Sequence, residues 1–233
     1  MVIINYKNIN AIIKILFLVT IYYLLIIDNA FAQTTPQLLI SWKALSYVPA
    51  GYQGKIFPTN NTPVEVGFDV IDNGKVINLS KSEISWELNG KFLTSGIGLK
   101  TARFNSGSQE QAVRITVLDY KEQNLTSSVI IPSLRPEIMI ESKLLNKKIK
   151  FGKHTLTALP YFFNAANSSE LSFDWKINGE RISASADNPE SLNLDLGSQV
   201  PSGNGDIVLS VTIKNFFNEF ESAIKRAYFV TTF

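Results

Sequence analysis

One pattern occurs twice in this chain, and it limits what the chain can fold into. Residues 83–91 read EISWELNGK and residues 171–180 read LSFDWKINGE. Each copy holds a Trp, an aliphatic residue two positions on, and then Asn-Gly. In the first, Ile84, Trp86 and Leu88 alternate with Glu83, Ser85 and Glu87. In the second, Leu171, Phe173, Trp175 and Ile177 alternate with Ser172, Asp174 and Lys176. A period of two is that of a strand with one buried face, and the β-branched and aromatic content argues against a helix. Asn89-Gly90 and Asn178-Gly179 follow at once. Both residue types tolerate positive φ, which a two-residue hairpin turn requires. Trp86 and Trp175 stand 89 residues apart. That spacing predicts two tandem β-sandwiches of about one hundred residues each.

The rest of the chain fits this frame. Val64, Val66, Phe68 and Val70 alternate before the first Trp strand, and Val113, Ile115 and Val117 alternate after it. In the second half, residues 154–163 precede the Trp175 strand. Ile207, Leu209, Val211 and Ile213 follow it, and a hairpin through 215–221 leads to a last strand over 223–231. Pro132 and Pro136 bracket a short polar segment that reads as a boundary. The expected organisation is a leader over 1–32, one sandwich over 33–133 and another over 134–233. The fold class is all-β.

The leader reads as an export signal. Lys7 and Lys14 flank an apolar run, Asp28 ends it, and Ala30-Phe31-Ala32 has the small-x-small form of a signal peptidase site. Cleavage after Ala32 predicts a mature chain starting at Gln33, in the periplasm, at the cell surface or secreted. The competing reading is an uncleaved anchor, in which case the membrane is met only through this segment. The apolar run over 11–27 stands at the short limit for a bilayer span.

Composition narrows function. Hydrophobic residues make up 45% and charged residues 18%, as in folded globular protein. There are 22 basic and 20 acidic residues, so nothing in the balance points to nucleic acid. With no cysteine, disulfides and thiolate chemistry are absent. His154 is the only histidine, and no nucleophile can be placed beside it. Asp72, Asp119 and Asp206 lack the spacing of a calcium loop and read as turn acids. No catalytic, metal or cofactor residue is selected.

The Trp-x-Leu/Ile-Asn-Gly motif, with the later Val-x-Ile-x-Val type strand, resembles bacterial immunoglobulin-like domains of envelope and surface proteins. A looser likeness is to polycystic-kidney-disease-type domains, which carry Gly-Asp-Gly after their Trp where this chain has Asn89-Gly90 and Asn178-Gly179. The resemblance covers nearly all of 33–233. It implies a non-catalytic interaction or structural role in the envelope, with other envelope or surface-assembly proteins as partners. A glycan ligand and an unrecognised carboxylate enzyme are the alternatives. Loops carry recognition on such scaffolds. Tyr52 in the Pro/Gly-rich stretch 47–63, and Phe216 and Phe217 in the last hairpin, are therefore the candidate contact residues. Phe216 and Phe217 are adjacent, so one of the two must leave the core side. The competing reading has these rings capping the cores.

Overall fold

A computed structural model describes Phe17 and residues 35–142, 148–150, 152–197 and 206–232. Lys7, Lys14, Ala30 and Ala32, on which the leader reading rests, lie outside the described residues. Among the described residues no helix is long and apolar enough to cross a membrane.

Sixteen strands and one 3-10 turn, Ser168–Glu170, make up the regular structure of the described residues. The first eight strands are β1 (Gln37–Ala44), β2 (Pro63–Asp72), β3 (Lys75–Val76), β4 (Glu83–Leu88), β5 (Lys91–Ile97), β6 (Thr101–Asn105), β7 (Gln111–Tyr120) and β8 (Gln123–Ile131). They form a sheet in the order β1-β2-β3 with β6 also on β2, and a second sheet β5-β4-β7-β8. The other eight are β9 (Glu137–Ser142), β10 (Lys148–Lys150), β11 (Lys153–Tyr161), β12 (Leu171–Ile177), β13 (Glu180–Ile182), β14 (Ser191–Asp195), β15 (Asp206–Asn215) and β16 (Asn218–Thr232). These give the sheets β14-β11-β9 and β10-β16-β15-β12-β13. The architecture is an immunoglobulin-like β-sandwich fold, all-β as the alternating patterns predict.

Alternation explains which side chains are inside. Val64, Val66, Phe68 and Val70 of β2, Ile84 and Trp86 of β4, and Val113, Ile115 and Val117 of β7 are all buried. The rings of Phe68 and Trp86 meet edge to face with centroids 5.6 Å apart, joining the two sheets. Trp175, Leu156, Leu194, Leu209 and Val211 lie in one apolar cluster built from both of the later sheets. Each buried Trp finds a partner for its N–H, as a buried indole must. Trp86 Nε1 donates to the Leu99 carbonyl at 2.9 Å, and Trp175 Nε1 to the Pro189 carbonyl at 3.1 Å.

The described residues of Ile40–Phe68 and Leu79–Phe233 form one compact unit, and Asp69–Asn78 belongs to another with residues 35–39. Within Asp69–Asn78 the chain turns at Asn73 and Gly74, both at positive φ, and pairs Ile71 with Val76. The last hairpin turns earlier than its sequence predicts. β16 begins at Asn218, because Asn215 ends β15 in a register shift and its Oδ1 accepts the Phe217 N–H at 2.9 Å.

Candidate interaction surface

The two Asn-Gly turns do more than reverse the chain. Asn89 and Gly90 have φ of 52° and 74°, and Asn178 and Gly179 have φ of 50° and 90°, the left-handed values that a tight hairpin needs. Each Asn also reaches a strand that is distant in sequence. Asn89 donates its N–H to the Ala112 carbonyl and accepts the Ala112 N–H on Oδ1, at 2.8 and 2.9 Å. Asn178 does the same with Val208, again at 2.8 and 2.9 Å. These residues, with the buried Trp86 and Trp175, tie the turns to the sheets of the scaffold.

A polar network holds the last hairpin. Glu221 is buried, with each carboxylate oxygen accepting hydrogen bonds. Oε1 takes the Thr59 hydroxyl and the Asn164 N–H, both at 2.8 Å, and Oε2 takes Asn215 Nδ2 at 2.6 Å. Thr59 has a single hydroxyl proton and gives it to Glu221, so in their 3.0 Å contact Thr62 is the donor. Ser106 Oγ bonds the Thr59 carbonyl and accepts the Thr62 N–H. Burying a carboxylate is tolerable only when its lone pairs are met this way.

Alternation then sets the neighbours of Glu221. With Glu221 turned inward, Phe220 must turn outward, and it is 99% exposed. Phe217 is 81% exposed and Phe216 is 61% exposed. Both adjacent phenylalanines leave the core, where simple alternation predicts one. They occupy the turn, and not the extended strand to which the alternation rule applies. Thr59, Leu134, Arg135, Pro136, Phe220 and Glu221 line a cavity of about 440 Å³ beside this hairpin.

Tyr52 has a different setting. It is 36% exposed, and its ring meets Tyr161 and Phe162 edge to face at 5.6 and 6.0 Å. Phe57 joins the same group, 5.9 Å from Phe162 and 5.9 Å from Trp42. Phe162 has φ of 61°, a strained value for an aromatic residue. Its N–H bonds the Tyr47 carbonyl, and the Tyr47 N–H bonds the Phe163 carbonyl, both at 2.7 Å. Burial raises the Tyr47 hydroxyl above its ordinary pKa, a hydrogen bond with Ser168 opposes the shift, and the charge of Glu190 adds to it. Tyr52, Tyr161, Met139, Glu137 and Lys225 line a second cavity of about 310 Å³.

His154 Nε2 donates to the Lys150 carbonyl at 2.7 Å. Among the described residues no three of His, Asp and Glu gather as a metal ligand set. Glu65 is held by Lys43 at 2.8 Å and by Arg103 Nε at 2.7 Å. The hydrogen bond from Lys43, and then the one from Arg103, keep its carboxyl below the usual carboxylate range. The sequence reading missed Glu221, Thr59, Tyr161 and Phe162. The three consecutive aromatics Tyr161-Phe162-Phe163, where alternation breaks, are the one local sign of the last two.

No family model matches this chain, and no curated protein matches it. Solved structures do. The three N-terminal domains of the bacteriophage RB49 Highly Immunogenic Outer Capsid protein match 84% of this chain, with 11% identity and a TM-score of 0.44; the chain covers 59% of that protein's chain. The fibronectin(III)-like modules of Clostridium thermocellum CbhA match 83% of it and are 93% covered, with 12% identity and a TM-score of 0.30. The Yersinia pseudotuberculosis adhesin InvE matches 85% and is 59% covered, with 12% identity and a TM-score of 0.27.

Proposed function

We propose that this chain is an exported, non-catalytic interaction protein of the cell envelope. It carries two immunoglobulin-like sandwiches, over 33–133 and 134–233, and contacts a protein partner through the phenylalanines of its last hairpin. The observation that carries this reading is an inversion within β16. An acidic residue, Glu221, is turned in with both carboxyl oxygens hydrogen-bonded, while Phe220 beside it is turned out. Phe216 and Phe217 extend the same tip. Three exposed rings on a pinned hairpin offer contact area at low entropy cost, as binding anchors do.

The reading is tested by capture from envelope extract on immobilised protein, with melting measured in parallel. Phe217→Ala is expected to keep its melting temperature, since exposed substitutions stay within about 0.5 kcal/mol. It is expected to lose roughly thirtyfold in affinity for the captured partner, about 2 kcal/mol. A large fall in melting temperature, or undiminished capture, refutes the contact role. A second reading, a glycan ligand, draws on the cavity of about 310 Å³ edged by Tyr52 and Tyr161. In the same experiment Tyr52→Ala, and not Phe217→Ala, then weakens retention on a glycan matrix.

A further inference from the structure

β8 ends the sheet β5-β4-β7-β8, and among the described residues no strand pairs with its outer side. The groups it presents there follow from Asn89. Ala112 directs both its N–H and its C=O to Asn89, on the β4 side. Successive residues of a strand turn these groups to opposite sides. Val113, Ile115 and Val117 therefore face β8, opposite Val129, Ser127 and Leu125. The backbone groups of Thr126, Ser128 and Ile130 point away from the sheet, and all three residues are exposed. Free edges are commonly guarded by charge or proline. Residues 123–131 read QNLTSSVII and have neither. β16, the last strand of the later half, carries Glu219, Lys225 and Arg226 and is paired by β10 at Val230.

We propose that β8 is a self-pairing edge, at which two copies of this chain join β8 to β8, antiparallel, about a two-fold axis through Ser128. Each four-stranded sheet then continues into an eight-stranded one. Ser128 stands opposite Ser128 of the second copy, and Thr126 opposite Ile130, so all the outward backbone groups in the centre of the strand are paired. An axis at the inward-facing Ser127 would set Thr126 against Ser128 of the second copy; it is the competing register, and cross-linking of Thr126→Cys with Ser128→Cys in place of Ser128→Cys with itself would overturn the Ser128 axis. The other outward centres fail. An axis at Ile130 sets Ser128 against Pro132, which has no N–H. An axis at Thr126 sets Ile130 against Glu122, which lies in the β7–β8 turn at φ 67°. A second copy fits this edge because it brings no charge to oppose its own kind across the pairs, and a contact of one patch with itself closes as a dimer. A strand-to-strand contact is smaller than a standard protein interface, so the dimer is weak and calls for trapping.

The chain has no cysteine, which makes trapping selective. The full chain in detergent micelles is mildly oxidised as single-cysteine variants, each checked for native circular dichroism. Directly opposite residues lie about 5.5 Å apart at Cα, within disulfide range. Ser128→Cys is therefore expected to shift from the 26.0 kDa monomer band to twice that mass. Thr126→Cys alone is expected to stay monomeric, because two such residues are about 14 Å apart along the strands. Thr126→Cys mixed with Ile130→Cys is expected to cross-link. A monomeric Ser128→Cys, or a Thr126→Cys that dimerises as readily, overturns the proposal.

Discussion

Glu221 is the most informative residue to change, because its effect can be worked out bond by bond. In Glu221→Gln the side chain keeps its shape, and the amide oxygen is best spent where two donors converge, on the Thr59 hydroxyl and the Asn164 N–H. The new NH₂ then faces Asn215 Nδ2, a donor that had its acceptor at 2.6 Å. One charge-assisted bond is lost outright, about 1.5–3 kcal/mol, and the other two lose their charge component. The expected total is about 2–4 kcal/mol. Glu221→Ala strips all three donors at a buried site and is expected to cost about 3–5 kcal/mol. Urea denaturation at neutral pH, followed by tryptophan fluorescence, measures both. Thr59→Val adds the decisive arm of a double-mutant cycle. If the Thr59 hydroxyl acts through Glu221, the two changes are coupled by about 1–2 kcal/mol. Additivity within about 0.5 kcal/mol would refute the network and leave the two residues as separate polar contacts.

Two further outcomes follow from the geometry. Asn89→Ala and Asn178→Ala each lose a side-chain acceptor and place alanine at positive φ, so each is expected to cost about 1–2 kcal/mol in urea titration; Asn→Gly, which keeps the turn and loses only the bond, should cost less. Glu65 has its carboxyl pKa lowered by Lys43 and Arg103 from an ordinary 4.5, so its contribution is complete above about pH 4.5 and fades as pH falls through the lower folded value. Glu65→Gln should therefore flatten that part of the acid melting curve; an unchanged curve shows that the half-buried Glu65 gains nothing from its exposed partners Lys43 and Arg103.

Local pattern revealed much of the scaffold and little of the surface. β2, β4, β7, β12 and β15 were legible because period two survives wherever one face is buried, and the turns because Asn-Gly has few other conformational uses. The burial of Glu221 was not legible, since it depends on Thr59, which is 162 residues away. With Glu221 drawn inside, Phe220 goes outside, against what hydropathy alone predicts. Tyr52 was legible as a loop residue, but its packing on Tyr161 and Phe162 was not. Phe162 makes that contact from a positive φ, which no aromatic side chain advertises. The side-chain bonds of Asn89 and Asn178 were hidden for the same reason, because Ala112 and Val208 carry no mark of being partners.

Those bonds have a consequence for how errors are corrected while the chain folds. A hairpin forms quickly from local contacts, and a slip of one residue turns every side chain of a strand to its other face. Here a slip in the β4–β5 hairpin would turn Trp86 to solvent, and it would also carry Asn89 out of reach of Ala112, so β7 could not dock. The same holds for Trp175, Asn178 and Val208. One asparagine in each copy thus ties the docking of the distant strand to the frame of the local turn.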